Sequence, residues 1–320
     1  MLTDSVSFAR AELLKAIESG AIRLAFQPQI DLASQKIVSF EGVARWHHDR
    51  LGVLTPGLFL GLAAREGLLD AISRTLFADA ALAVASWRAR GYAVQVAINL
   101  SASDITDPQF GPDILSIVRS FGALPHWIVL EASEEGLAFS GESGFAGLEA
   151  LARLGFKIAL DAKGPPIVAL DKRARSLFCQ LKCGGTTMLS VASQLHSMGA
   201  SSFMRRLDAA RAAGLPVVAV GAETQDSIEL YTRLGFTRLQ GKIISMPVSV
   251  EMCSQFLDQA GVTPPQEAAP DELSAPAENI VHETVLVPEV LKCEPIPIAR
   301  GKSITIFSID FDDEETAQAA

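Results

Sequence analysis

Apolar and polar positions along the chain trace a long series of helices and strands. Phe8, Leu13, Leu14 and Ile17 fall near helical spacing within residues 8–19, which predicts a short lead-in helix. LAFQPQID (24–31) and KIVSFEGVARW (36–46) are apolar-rich runs joined by only LASQ. So short a connection predicts an antiparallel hairpin. Helical patterning follows from about 56 to 66 and from 70 to 90. Beyond Gly91 the extended runs are VQVAINLS (94–101), WIVLEAS (127–133), KIALDAKG (157–164), LFCQLKCG (177–184), PVVAVGAE (216–223) and RLQGKIIS (238–245). Helical stretches at 111–121, 143–154, 200–213 and 224–234 separate them.

Short apolar strands alternating with helices imply parallel strands buried on both faces. With the hairpin they make eight strands, which predicts an α/β fold: a modified TIM (β/α)8 barrel with an antiparallel first strand. The expected organisation is a lead-in helix over 1–23, a barrel domain over 24–260, a linker over 261–279 and a tail over 280–320. The linker reads GVTPPQEAAPDELSAPAE, rich in Pro, Ala and Glu and without a period. The tail holds two β-like runs, 280–287 and 303–309, and is too short for a domain of its own. It is expected to pack on the barrel or to bind a partner as an added strand.

Charge sharpens this division. Of a net −10, the segment Pro265–Ala320 carries −9, from 12 acidic and 3 basic residues, so the body is near neutral. An acidic appendage of this kind is expected to be solvated and dispensable for the barrel. The lack of a basic excess excludes a general binder of nucleic-acid polymers, though not a discrete nucleotide ligand. No apolar run is long enough for a membrane span, and the N-terminus lacks the pattern of a secretory signal. Cys179, Cys183, Cys253 and Cys293 form no CxxC or zinc spacing, which suits reduced thiols in a cytoplasmic protein.

Candidate chemistry lies where strands end. Glu41, Asn99, Glu131, Asp161, Lys182, Glu223 and Gln240 stand at or near successive strand ends. In a parallel barrel these ends converge on one mouth, so the side chains can share a site. Carboxylates plus an amide are hard oxygen donors, suited to Mg²⁺ or Mn²⁺. The alternative is that each merely ends a strand or caps a helix.

The ordered segments resemble the EAL domain, the bacterial cyclic di-GMP phosphodiesterase and receptor family, over roughly Leu24 to Leu257. FQPQIDLASQKIVSFEGVARW is similar to the family's opening hairpin, with Glu-Gly-Val at 41–43 in place of Glu-Ala-Leu. AINLSASD (97–104), VLEASEE (129–135), ALDAKG (159–164), LKCGG (181–185), VAVGAET (218–224) and LQGKIISMP (239–247) resemble the later motifs in order. The resemblance implies a first-metal set of Glu41, Asn99, Glu131 and Asp161, with one Mg²⁺ or Mn²⁺. It implies Lys182 near the attacking water, Glu223 as a supporting acid, and Gln27, Arg45 and Gln240 beside the nucleotide. Arg suits a phosphate through its planar fork of donors.

Three departures fall on the family's two-metal hydrolysis. Ala162 replaces the second aspartate of a pair, Gly184 an aspartate two residues after the lysine, and Val220 the glutamate that serves as general base. None of these side chains can ligate a metal or take a proton. GPPIVALDKR (164–173) replaces a loop that couples dimerisation to metal binding in active members. Lys163 either enters the mouth as a substitute cation or stays in solvent. Trp46 reads as core or pocket wall, and His47 and His48 as loop residues.

The resemblance thus implies a catalytically degenerate member, a cyclic di-GMP receptor acting through a protein partner. An interaction module without nucleotide and a weak phosphodiesterase are the alternatives. With only residues 1–23 ahead of the barrel, input is expected through the ligand, the tail or a partner.

Overall fold

In the computed structural model, residues 8–164, 166–184, 198–259, 291–298 and 302–309 are described, with 198–201 and the last two segments described by their backbone. The 261–279 linker and the 280–287 run lie outside the described residues. The lead-in helix α1 spans Arg10–Glu18. It precedes the hairpin of β1 (Ile22–Asp31) and β2 (Ile37–His48), which pair antiparallel from Ile22↔Trp46 to Ile30↔Ile37. A short β3 (Gly52–Leu54) folds back on the end of β2, followed by α2 (Pro56–Arg65) and the long α3 (Leu69–Ala89).

The remaining strands are β4 (Gln95–Leu100), β5 (Ile128–Ser133), β6 (Lys157–Ala162), β7 (Phe178–Cys183), β8 (Val217–Val220) and β9 (Arg238–Gln240). Each is parallel to its neighbour, from β2 through β4 to β9. β1 closes the ring, antiparallel to both β2 and β9. The eight strands β1, β2 and β4–β9 therefore form a closed barrel whose first strand is reversed, as the hairpin spacing predicted.

The connecting helices are α4 (Ala102–Thr106), α5 (Phe110–Ser120), α6 (Glu134–Arg153), α7 (Lys172–Leu177), α8 (Met198–Ala212) and α9 (Gln225–Leu234), and α10 (Val250–Gln259) follows the last strand. Sequence patterning missed α4, α7, α10 and the first nine residues of α6. It also extended the last two strands: β8 and β9 stop at Val220 and Gln240.

The parallel strands are buried on both faces. On β5, Ile128, Leu130 and Ala132 join the main core beneath the helices, while Val129 packs inside the barrel with Ala97 and Ala159. Trp87 of α3 is fully buried between Phe26 and Phe40, with ring centroids 5.4 and 4.7 Å away, and its Nε1 donates to Ser254 Oγ at 3.0 Å. Gly42 is fixed by crowding: a Cβ there would sit 2.8 Å from Ile98 Cδ1 and 2.9 Å from Leu24 Cδ1. A second core gathers Phe8, Leu13, Trp46, Phe59 and Ile72 beneath α1 and α2. Trp46 is thus a core residue, and His48 is buried with its Nε2 3.0 Å from Glu12 Oε1, whereas His47 is exposed.

The tail contributes an antiparallel hairpin, β10 (Leu291–Ile298) and β11 (Lys302–Ile309), in register from Leu291↔Ile309 to Ile298↔Lys302. Among the described residues these strands pair only with each other, and β10 approaches α9. The 303–309 run is a strand as expected. Its partner is 291–298, a run not proposed as a strand, which carries Pro295 and Pro297.

Candidate functional site at the barrel mouth

Two residues at the ends of adjacent strands, Asn99 of β4 and Glu131 of β5, lie directly opposite each other in the ladder. Asp161 and Lys182 form the equivalent pair on β6 and β7. Lys182 reaches the interior because β7 carries a bulge. Phe178 pairs with Ile158 outside, yet the next pair is Gln180 with Ala159, so Cys179 is the extra residue. A one-residue insertion exchanges the faces of everything after it. Without it, Lys182 would face the helices.

Inside the mouth, the Lys182 ammonium donates to Glu41 Oε2 at 2.8 Å and to Glu131 Oε2 at 2.5 Å. Asn99 Nδ2 donates to Glu41 Oε1 at 2.8 Å, and Gln240 Nε2 donates to Glu41 Oε2 at 2.7 Å and to Gln27 Oε1 at 3.0 Å. Gln27 in turn donates to the Ser245 carbonyl at 2.9 Å. Five residues proposed from strand ends, Glu41, Asn99, Glu131, Lys182 and Gln240, therefore meet in one network with Gln27, which the resemblance implied.

The two carboxylates differ in charge preference. Burial works to raise the pKa of Glu41, but Lys182, Gln240 and Asn99 override it and hold the group at about 2. For Glu131 burial prevails over the pull of Lys182, aided by the negative charges of Glu41 and Asp161, and the pKa rises to about 8. Glu131 Oε1 is buried with no hydrogen-bond partner among the described residues. Asp161, also buried, pairs through Oδ2 with Lys163 Nζ at 3.1 Å. Partial burial works to lower the Lys163 pKa, but Asp161 keeps it above its ordinary value.

Arg45 lies four residues beyond Glu41 on β2, half-buried, donating to its neighbour's carbonyl, Ala44 O, at 2.9 Å. It makes no ion pair among the described residues. Glu223 stays apart from the network: it is exposed and pairs with Lys242 at 3.3 Å. Ala162 is buried in the main core, while Gly184 and Val220 follow or end their strands and offer no side-chain donor.

A divalent ion at the mouth would draw on four of its side chains. Glu41, Asn99, Glu131 and Asp161 are the right donor types, and the orphaned Glu131 oxygen is an open acceptor. However, an ammonium already stands between Glu41 and Glu131, and a second one is on Asp161. Among the described residues no three His, Cys, Asp or Glu side chains converge as a metal would need. As arranged, the set does not fit a metal ion.

Two buried residues escaped sequence reasoning. Gln29 donates to Gln240 Oε1 at 3.1 Å, extending the network inward. Glu134, fully buried at the start of α6, accepts from the backbone N–H groups of Ile167 and Val168 at 2.9 and 2.6 Å. It also accepts both of its bonds from Arg206 Nη1, at 2.7 and 2.8 Å. Both follow a more obvious candidate in sequence, Gln27 and Glu131, and no helix is predicted to begin at Glu134.

Comparison with known proteins agrees with this geometry. The EAL domain family model matches residues 10–247. The cyclic di-GMP phosphodiesterase RocR of Pseudomonas aeruginosa is 25% identical over 78% of this chain and 62% of its own length. The bifunctional diguanylate cyclase/cyclic di-GMP phosphodiesterase MucR of the same organism is 27% identical over 75% of this chain and 35% of its own. The chain thus spans less than two thirds of either relative. Among solved structures, the PaMucR phosphodiesterase in complex with c-di-GMP superposes with a TM-score of 0.69 at 26% identity, covering 76% of this chain and 98% of that one. The FimX EAL domain of Xanthomonas citri, in complex with c-diGMP, shares the fold with a TM-score of 0.64 at 18% identity, covering 74% of this chain and 91% of that one. From its strand order, its mouth and these matches, the chain belongs to the EAL domain family.

Proposed function

We propose that this chain is a cyclic di-GMP receptor that holds the dinucleotide at the barrel mouth, does not hydrolyse it, and passes the signal to a protein partner. The observation that carries the reading is the filling of the mouth. Lys182 bridges the carboxylates that would face a metal, and Arg45, without an acidic partner among the described residues, lies four residues beyond Glu41 on the same strand. Gln27, Glu41, Lys182 and Gln240 supply a connected polar floor for a ligand. Val220 cannot accept the proton of an attacking water, and Ala162 and Gly184 cannot hold a second ion. Relatives at 25–27% identity named for cyclic di-GMP turnover support the ligand class.

The ligand's two negative charges need a counter-charge among the acids of the mouth. A Mg²⁺ or Mn²⁺ that displaced the ammonium groups from Glu41, Glu131 and Asp161 and drew in Asn99 would be one source; the chain's own lysines, already in place, are the other. Calorimetric titration with cyclic di-GMP, in Mg²⁺ and in EDTA, tests binding, and chromatography of the same mixtures tests turnover. The expected result is saturable binding with no linear product. Product forming at roughly 1 per second or faster, a usual enzymatic rate, makes the chain a phosphodiesterase. Absence of binding in both buffers leaves a protein-interaction module.

A further inference from the structure

We infer that the lysines of this chain take the cation positions of the mouth, so that the anionic dinucleotide binds without a divalent ion and Lys163 is the residue that makes this possible. The inference rests on the receptor reading above and concerns how that same site is charged.

The first observation is occupancy. An ammonium at 2.8 and 2.5 Å from two carboxylates fills the space between them. A hard cation bound through those same two oxygens would have to compete with it.

The second observation is the fit of Lys163 to Gly184. A Cβ at 184 would stand 3.3 Å from Lys163 Cγ and 3.4 Å from its Cα. The lysine stem thus lies over the strand end, and a side chain at 184, a carboxylate included, would need it to shift by a few tenths of an ångström. The absence of a donor at 184 and the presence of a cation at 163 form one arrangement. The ammonium ends on Asp161, the remaining acid of the mouth, while its side chain stays 67% exposed and within reach of a ligand.

The third observation is charge. In the most negative case, with every acid including Glu131 ionised, Glu41, Glu131 and Asp161 bring three negative charges. Lys182, Lys163 and Arg45 bring three positive ones. Without the two lysines the mouth would be net negative and would repel a phosphodiester. With them the repulsion is removed and no ion is needed to remove it.

The test uses the full chain. Titrated with cyclic di-GMP, the wild type is expected to bind with the same affinity in EDTA as in Mg²⁺. Manganese alone, followed by its paramagnetic resonance signal, is expected to remain free in the presence of the protein. Lys163→Met, with its thermal unfolding measured beside the wild type's, is expected to weaken binding about 10- to 100-fold in EDTA, the scale of a charge-assisted contact. Lys163→Arg should retain binding.

Affinity that collapses in EDTA and returns with Mg²⁺ overturns the inference and leaves the receptor reading standing. Stoichiometric uptake of manganese by the ligand-free wild type also overturns it, whatever the dinucleotide does. Unchanged affinity in Lys163→Met removes Lys163 from the account. Absence of dinucleotide binding in both buffers is a failure of the receptor reading itself.

Discussion

Glu41 and Glu131 share one ammonium, yet they titrate in opposite directions, and stability should record the difference. An ordinary glutamate titrates at 4.5, whereas Glu131 in the fold holds its proton up to about 8. Its contribution is therefore fully present below 4.5 and is lost as pH rises through about 8. Glu41, held at about 2, contributes above 4.5 and loses that contribution as pH falls towards 2. The midpoint of thermal unfolding should decline between about pH 5 and pH 8, and Glu131→Gln should flatten that decline. A wild-type profile that rises over this range contradicts the assignment. At Arg45 the stake is the ligand: Arg45→Ala should weaken cyclic di-GMP binding by roughly 10–150-fold, equivalent to about 1.5–3 kcal/mol, as read by titration. The core of this site was legible because strand ends are where a barrel gathers side chains, and polar residues there stand out against apolar runs. Glu223 met the same criterion yet lies in solvent with Lys242, since its position past Val220 is already beyond the strand. Gln29 and Glu134 were hidden because their partners, Gln240 and the 167–168 backbone, are distant in sequence.

Arg206 ties three elements together. From α8 it grips Glu134 at the head of α6, and Glu134 holds the backbone at 167–168 after β6. Both side chains are buried, so removing one leaves the other unpaired away from water. Arg206→Ala should destabilise the fold by about 3–5 kcal/mol, measured by denaturant unfolding. In Glu134→Ala the amides of Ile167 and Val168 should exchange with solvent faster than in the wild type. Unaltered exchange would mean that the segment is held by something other than Glu134. Periodicity exposed most helices but not the head of α6, where EEGLAFSGESG mixes three glycines with serines and Gly141 takes a φ of 56° inside the helix. The bulge at Cys179 left no mark in the sequence, because an inserted residue in an apolar strand looks like any other. The partner strand of the tail was disguised by two prolines. Eight consecutive pairs with both prolines on the same alternation point to their missing N–H groups facing away from β11.

The barrel closes on itself through β1 and β2, and none of its eight strands pairs with the tail hairpin. A chain truncated after Gly261 should therefore remain soluble and unfold cooperatively, with a midpoint near that of the full chain. Aggregation of the shortened chain would assign the β10–β11 hairpin to the body of the fold. Among the described residues no helix is long and apolar enough to cross a membrane.

Because β1 runs against the other strands, its first residue, Ile22, lies beside Trp46 at the far end of β2, and α1 sits on the same side as the mouth. α10 runs the other way and ends with Asp258 bonded to Arg90 and Tyr92, just ahead of β4. The two ends of the barrel body thus emerge at opposite poles of its axis. For immobilisation on a sensor surface, a tether through the segment after α10 leaves the mouth facing solution, whereas one through α1 turns it towards the support. The orientation of capture alone should therefore change how readily a dissolved nucleotide reaches the protein.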